Sequence, residues 1–208
     1  YSHRALVLHT YGCLMPDVMN LSAREVVMPV VPMFHVNAWS MPYGAAVVGA
    51  KLVFPGPKMG DGEMLQRLIE GEGVTVTAGV PTVWLALLTH LDRSGTGVPS
   101  LKRVIVGGSA CPRAVMEAFE QKHGVHVHHA WGMTEMSPIG TFNSPSADFD
   151  TLSPEEQWAQ RLRVGRPVYG VEVKIVDATG AELPWDGVSF GALKVRGPWI
   201  CSESFRIG

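Results

Sequence analysis

A chain of 208 residues that is 46% hydrophobic and 17% charged has the composition of an ordered globular protein and excludes intrinsic disorder. Its formal net charge of −2 offers no electrostatic footprint for nucleic acid or an anionic membrane, and no uninterrupted apolar run is long enough for a spanning helix. Three cysteines, Cys13, Cys111 and Cys201, are odd in number, far apart and without a CxxC pair, which speaks for free thiols in a reducing cytoplasm and against a disulfide framework or zinc site.

In chain order, Ser2 is placed to cap a helix reaching about Asn20, and Val26 to Val31 reads as a short strand punctuated by Pro29 and Pro32. Ala38 to Val48 reads as a buried helix, Lys51 to Phe54 as a strand, and Pro55-Gly56-Pro57 as a turn. Asp61 is placed to cap a helix through Glu72, whose Met64, Leu65, Leu68 and Ile69 fall at helical spacing. Val74 to Val76 follows as a strand, and Pro81 opens a helix to Asp92, as proline favours the first turn. Leu101 to Val106 leads as a strand into Gly107-Gly108-Ser109, Pro112 opens a helix to His123, and Val125 to His129 completes a βαβ rhythm.

Strands alternating with helices imply an α/β fold, a layered, parallel-type sheet with helices on both faces, whose ligands bind beyond the strand carboxyl ends. Asn143 to Glu156, rich in Ser, Pro and Asp, reads as a mobile surface loop. After about Val164 the pattern changes: Val171 to Val176 and Gly191 to Val195 alternate around the turn Asp177 to Gly180, implying a β-rich subdomain. The expected division is 1–163 for the α/β part and 164–208 for the start of the β-rich part. The chain opens on Tyr1-Ser2-His3-Arg4 and closes on Ser204-Phe205-Arg206-Ile207-Gly208, just after the strand-like run Ala192 to Arg196, and neither end reads as a natural boundary. A fragment of a larger protein is the expectation.

The pentapeptide Trp131-Gly132-Met133-Thr134-Glu135 gathers a flat aromatic, a hydroxyl and a carboxylate just after a strand, groups that suit a base, a phosphate oxygen and Mg²⁺. Gly107-Gly108-Ser109-Ala110 would let backbone approach a flat ligand, or would serve only as a strand-to-helix turn. His35, with Trp39 one turn on, could meet a substrate carboxylate, although the pattern by itself favours a core role for both residues. Among His123, His126, His128 and His129, strand geometry puts His126 and His128 on one face and His129 on the other, and no cysteine or carboxylate completes a metal set nearby. His3 and His9 read as helix-surface residues.

Three segments taken together, PMFHVNAW (32–39), GGSACP (107–112) and HAWGMTE (129–135), resemble the adenylate-forming superfamily, and more closely its fatty-acyl-CoA synthetase branch, which includes medium- and long-chain fatty-acid and methylmercaptopropionate-CoA ligases. Ala78 to Thr82, Gly165 to Gly170 and Val195 to Trp199 extend the resemblance over essentially the whole chain. It implies an AMP-forming acid–thiol ligase that takes a small-molecule carboxylic acid, ATP and coenzyme A, with Mg²⁺ as cofactor, a cytoplasmic location and room for a homodimer. By resemblance Thr134 contacts phosphate and Glu135 ligates Mg²⁺. Trp131, Gly132 and Met133 join Gly107, Gly108, Ser109 and Ala110 around the adenine, with Trp131 where the family usually carries tyrosine. His35 and Val36 lie by the acyl carboxylate, Trp39 gates the acyl tunnel, and Val80, Pro81 and Thr82 wall it. The family's phosphate loop, ribose-binding aspartate, hinge and lysine-bearing C-terminal lid domain are expected outside this chain, so the isolated chain is expected to be nearly inactive. The competing reading is a nucleotide- or acyl-binding module without catalysis.

Overall fold

The computed structural model describes residues 1–202. Its elements are α1 (His3–Leu14), β1 (Val26–Pro29), the short turn α2 (Val36–Trp39), α3 (Met41–Val48), β2 (Lys51–Leu52), α4 (Gly62–Glu72), β3 (Val76–Gly79) and α5 (Pro81–Ser94), followed by β4 (Arg103–Val106), α6 (Arg113–His123), β5 (His126–Gly132), β6 (Ile139–Phe142), α7 (Pro154–Arg161), β7 (Arg166–Pro167), β8 (Glu172–Val176) and β9 (Ala192–Arg196). The caps act as their residue types dictate: Ser2 accepts from the Ala5 N–H at 3.1 Å and Asp61 from the Met64 N–H at 3.1 Å.

Seven strands form one sheet in the order β2-β1-β3-β4-β5-β6-β7, parallel from β2 to β5 and antiparallel across β6 and β7. The period of two along each strand builds two cores. Val27, Val76, Ala78 and Ile105 face α1 and α3, packing with Cys13, Met41 and Ala45. Met28, Val104, Val106 and Val127 face the other way, onto Leu65 and Ile69 of α4, Trp84 and Leu87 of α5, and Met116 and Phe119 of α6. Helices therefore cover both faces, as a parallel sheet requires. Strands β8 and β9 pair as a separate antiparallel ribbon, and Asp177 Oδ1 accepts from the N–H groups of Thr179 and Ala181 to close the turn after β8.

Several local expectations are corrected. Helix α1 ends at Leu14 instead of Asn20, because Pro16 drives Met15 to an extended ψ of 147°. Strand β3 lies at Val76–Gly79, not 74–76, and β5 runs on to Gly132, so Trp131 stands on a strand. The 143–156 stretch is not a plain loop: Ser153 and Glu156 form a capping box that starts α7, and Trp158 lies between the Arg113 and Arg161 guanidinium groups, 4.7 and 4.5 Å from its ring.

The largest departure is at 36–48. Instead of one helix from Ala38, five consecutive non-glycine residues, Val36, Asn37, Ala38, Trp39 and Ser40, take φ of 50°, 54°, 48°, 56° and 60°. That is a left-handed turn, costing roughly 1–2 kcal/mol per residue that surrounding contacts must offset. The right-handed helix α3 begins only at Met41.

His9 is also not a surface residue: it is 1% exposed, while His3 is exposed as expected. His126 and His128 do share a face, with ring centroids 4.5 Å apart, and His129 is buried on the opposite one. Among the described residues no group of three or more His, Cys, Asp or Glu side chains is placed to hold a metal ion, and no helix is long and apolar enough to cross a membrane.

Candidate active site

The carboxyl ends of the adjacent strands β1, β3, β4 and β5 open into one cleft of about 440 Å³. Each contributes through the segment that leaves it. After β1 the chain passes Val30, Val31 and Pro32 to His35, Val36 and Trp39; after β3 comes Val80; after β4, Gly107 and Gly108; and from the end of β5 come Trp131, Gly132, Met133 and Thr134. Ten of the residues singled out from the sequence thus line one surface.

Glycine is needed at three of these positions for different reasons. A Cβ on Gly107 would lie 3.0 Å from Trp39 Cη2 and 3.3 Å from the Ala130 carbonyl oxygen, so the bare backbone is what lets the indole lie across the end of the sheet. Gly108 has φ +82°, a conformation that side-chain-bearing residues rarely adopt. A Cβ on Gly132 would meet the Pro138 carbonyl oxygen at 1.9 Å. The register of β5 against β6 shifts between Trp131 and Gly132, turning the chain out of the sheet there.

Thr134, Glu135 and Met136 then form a single 3-10 turn, closed by the Met136 N–H donating to Met133 O at 2.9 Å, and the Met133 N–H donates to Pro138 O at 3.0 Å to join the ends of the loop around it. Backbone contacts hold the turn from both ends of the chain: Tyr1 Oη donates to Thr134 O at 2.6 Å, and the Cys201 N–H donates to Glu135 O at 2.8 Å. Partial burial, together with nearby Cys201 and Glu135, raises the Tyr1 phenol above its ordinary pKa, which keeps it a donor. With these backbone oxygens occupied, the exposed side chains of Thr134 and Glu135 remain available to a ligand.

Other predicted residues stand apart from the cleft wall. Ser109 and Ala110 are exposed just beyond Gly108, Pro81 sits half-buried at the start of α5, and Glu135 is exposed and is not among the residues that line the cleft. Thr82 lines a different, shallow groove between α4 and α5. Conversely, Val30, Val31, Met59, Val83, Ala130 and Ile139 line the cleft without having been singled out. Val30 and Val31 were legible as the end of a strand leading to His35; Met59 carries no local signal, because it arrives from the turn before α4.

The sheet, parallel from β2 to β5 and covered by helices on both faces, thus carries at its carboxyl edge a cleft walled by apolar side chains, by Gly107, Gly108 and Gly132, and by Thr134. The AMP-binding enzyme family model matches residues 1–203, and the chain belongs to that family. It is 54% identical over 206 residues to a medium-chain-fatty-acid–CoA ligase of Ectopseudomonas oleovorans, covering 99% of this chain and 38% of that protein. It is 52% identical over 207 residues to a 3-methylmercaptopropionyl-CoA ligase of Ruegeria lacuscaerulensis, covering 100% and 38%. The fold matches a crystal structure of a long-chain-fatty-acid-CoA ligase from Archaeoglobus fulgidus with a TM-score of 0.79 at 24% identity, covering 96% of this chain and 39% of that one. The chain thus spans under two-fifths of the length of these relatives.

Proposed function

We infer that this chain carries the nucleotide- and acyl-binding cleft of an AMP-forming fatty-acyl-CoA ligase. The observation that carries this reading is the convergence of the 32–39, 107–108 and 131–134 segments on one cleft at the sheet's carboxyl edge, in a chain about half identical to ligases of medium-chain and thioether acids. The division near residue 164 goes with it, shifted past β7, whose Arg166–Pro167 still pairs with β6 in the main sheet: the preceding elements supply the cleft and the β8–β9 ribbon begins a second unit.

In the first half-reaction a carboxylate oxygen of the acid attacks the α-phosphorus of ATP and the bond to the β-phosphate oxygen breaks, giving acyl adenylate and pyrophosphate. In the second, the sulfur of coenzyme A attacks the acyl carbon, the bond to AMP breaks, and the thiol proton passes to solvent. A carboxylate is already nucleophilic, so the first step needs alignment and charge neutralisation more than a general base. His35, exposed and part of the cleft lining, would orient the attacking carboxylate. Gly107, Gly108 and Trp131 would accept the adenine against bare backbone and an indole face, with Ser109, Ala110, Gly132 and Met133 flanking it. Thr134 would donate to a phosphate oxygen. The hard, exposed carboxylate of Glu135 suits Mg²⁺, which supplies charge neutralisation at the phosphates when bound. Val36, Trp39 and Val80 would bound the acyl chain, with Pro81 and Thr82 behind them.

Calorimetric titration of this chain with AMP and with an acyl-sulfamoyl adenosine tests the reading. Binding of both, the second more tightly, is expected, and heat from neither would overturn it. Carboxylate-dependent ATP–pyrophosphate exchange by the 208-residue chain alone is expected at background, since it spans 38% of its relatives' length; the same assay on a full-length protein is expected to be positive.

A further inference from the structure

His9 sits in the middle of α1, buried and outside the cleft lining, yet its ring is the centre of a hydrogen-bond chain that joins four parts of the molecule. The directions in that chain are forced. The Ile139 N–H can only donate, and it points at His9 Nε2 from 3.0 Å, so Nε2 carries the lone pair. In a neutral imidazole the proton is then on Nδ1, which donates to Ser40 Oγ at 2.9 Å. The Ser40 hydroxyl is left to donate to Ser137 O, at 3.4 Å the longest link, and Ser137 Oγ donates to Trp199 O at 3.0 Å.

The members of this chain are placed where backbone needs support. Ser40 is the last residue of the left-handed turn that follows His35 and carries Trp39, and Ser137, with φ of 68°, ends the turn that carries Thr134 and Glu135. The two strained segments belong to opposite sides of the cleft and are 97 residues apart in sequence, and His9 with Ser40 bridges them. Around the ring pack Cys13 Sγ, 3.5 Å from both nitrogens, and the edge of Trp199. Burial alone pushes the imidazole down to about 3, and Cys13, whose Sγ packs against it, is itself kept a thiol by burial. The ring therefore stays neutral at any pH at which the enzyme would work.

We propose that His9 is a positioning residue: as the neutral Nδ1–H tautomer it clamps the left-handed turn behind His35 and Trp39 to the loop behind Thr134, so that the acyl and phosphate sides of the cleft hold one fixed separation. The consequence for binding rests on the function proposed above; the clamp itself does not.

Nitrogen-15 NMR of the histidine-labelled chain tests the clamp without any ligand. A protonated Nδ1 and a bare Nε2 that persist unchanged from pH 8 to pH 5 are expected; an Nε2–H tautomer, or titration near the ordinary histidine value, would overturn it. Three variants then separate clamping from packing. Gln sets an amide oxygen as far from Cα as Nε2 and can accept from Ile139, whereas Phe fills the space without an acceptor. In His9→Phe the Trp39 indole N–H and the Thr134 amide resonances are expected to shift together; His9→Gln, which restores the acceptor for Ile139 but not the donor to Ser40, is expected to return the Thr134 signal and leave the Trp39 signal shifted. Ser40→Ala, which keeps the packing and removes the Nδ1–H acceptor, should reproduce the shifts if His9→Phe does not fold. Signals that stay in place in folded His9→Phe and Ser40→Ala would sink the proposal. With ligands, His9→Phe should weaken an acyl-sulfamoyl adenosine, which spans both sides, at least about fivefold more than it weakens AMP, a typical intersite coupling. Equal losses would refute the coupling, whereas a wild-type chain that binds neither ligand would refute the functional reading and leave the NMR result to judge the clamp.

Discussion

Replacing Gly132 by alanine places a methyl carbon 1.9 Å from the Pro138 carbonyl oxygen, 2.7 Å from its carbon and 3.1 Å from Ile139 Cα. All three are backbone atoms, so no rotamer change relieves the clash. Carbon–oxygen contacts below 3.0 Å are essentially never seen at a Cβ, so the 133–138 loop must retreat by at least 1.1 Å. The Pro138 oxygen is also the acceptor for the Met133 N–H at 3.0 Å, and a retreat of that size breaks the bond that joins the ends of the 133–138 loop carrying the Thr134–Met136 turn. The lost hydrogen bond costs about 1 kcal/mol and the overpacking about 1–3 kcal/mol more. A misplacement of about 1 Å at a positioned group costs on the order of a hundredfold in rate. Urea unfolding of Gly132→Ala is therefore expected to show a stability loss of about 2–4 kcal/mol, and calorimetry a marked loss of AMP affinity at temperatures where the variant is folded. A variant that binds AMP like the parent chain would show that the loop has an alternative path and that the Thr134 turn is not held by this contact.

The left-handed turn predicts an inverted response at Ala38, which is fully buried with φ of 48°. In a right-handed helix Ala38→Gly would cost about 1 kcal/mol in propensity plus about 0.8 kcal/mol for the buried methyl; here relief of about 1–2 kcal/mol is expected to cancel that methyl, so an unchanged or raised unfolding midpoint supports the turn and a clear drop refutes it. Burial pushes His128 down to about 4, as it pushes His9 to about 3, while both titrate near 6.5 when unfolded. The unfolded chain then binds protons that the native state refuses, so stability is complete above about pH 7 and falls by about 1.4 kcal/mol per pH unit per histidine as pH drops from 6.5 towards 4. A urea midpoint that stays flat from pH 7.5 to pH 5 would contradict that burial. Gly107→Ala presses a methyl on the Trp39 ring at 3.0 Å and should lower affinity for long-chain relative to short-chain acyl-sulfamoyl adenosine by roughly fivefold, about 1 kcal/mol; an unchanged ratio would mean that the indole does not bound the acyl chain.

The pattern of residues alone was enough for the α/β class, for the caps at Ser2 and Asp61, for the openings at Pro81 and Pro112, and for His35, Trp39, the Gly107-Gly108 turn and the Trp131 to Thr134 run in the cleft lining; Val36 and Val80 came only through the family resemblance. Capping, proline geometry and the periods of 2 and 3.6 are local rules, and the tendency of ligands to bind beyond parallel strand ends converts those local elements into a site. What the sequence could not express depends on partners far along the chain. The left-handed turn has no glycine to announce it and is held by contacts made to Ser40. Gly132 is required by Pro138, which reaches it only because β6 folds back on β5. His9, in a helix whose pattern allowed an exposed face, meets Ser40 across 31 residues and Ile139 across 130. A histidine on a helix carries the same letters whether its ring meets water or two backbone segments; only packing α1 against the sheet decides which, and here it makes the ring the link between the two sides of the cleft.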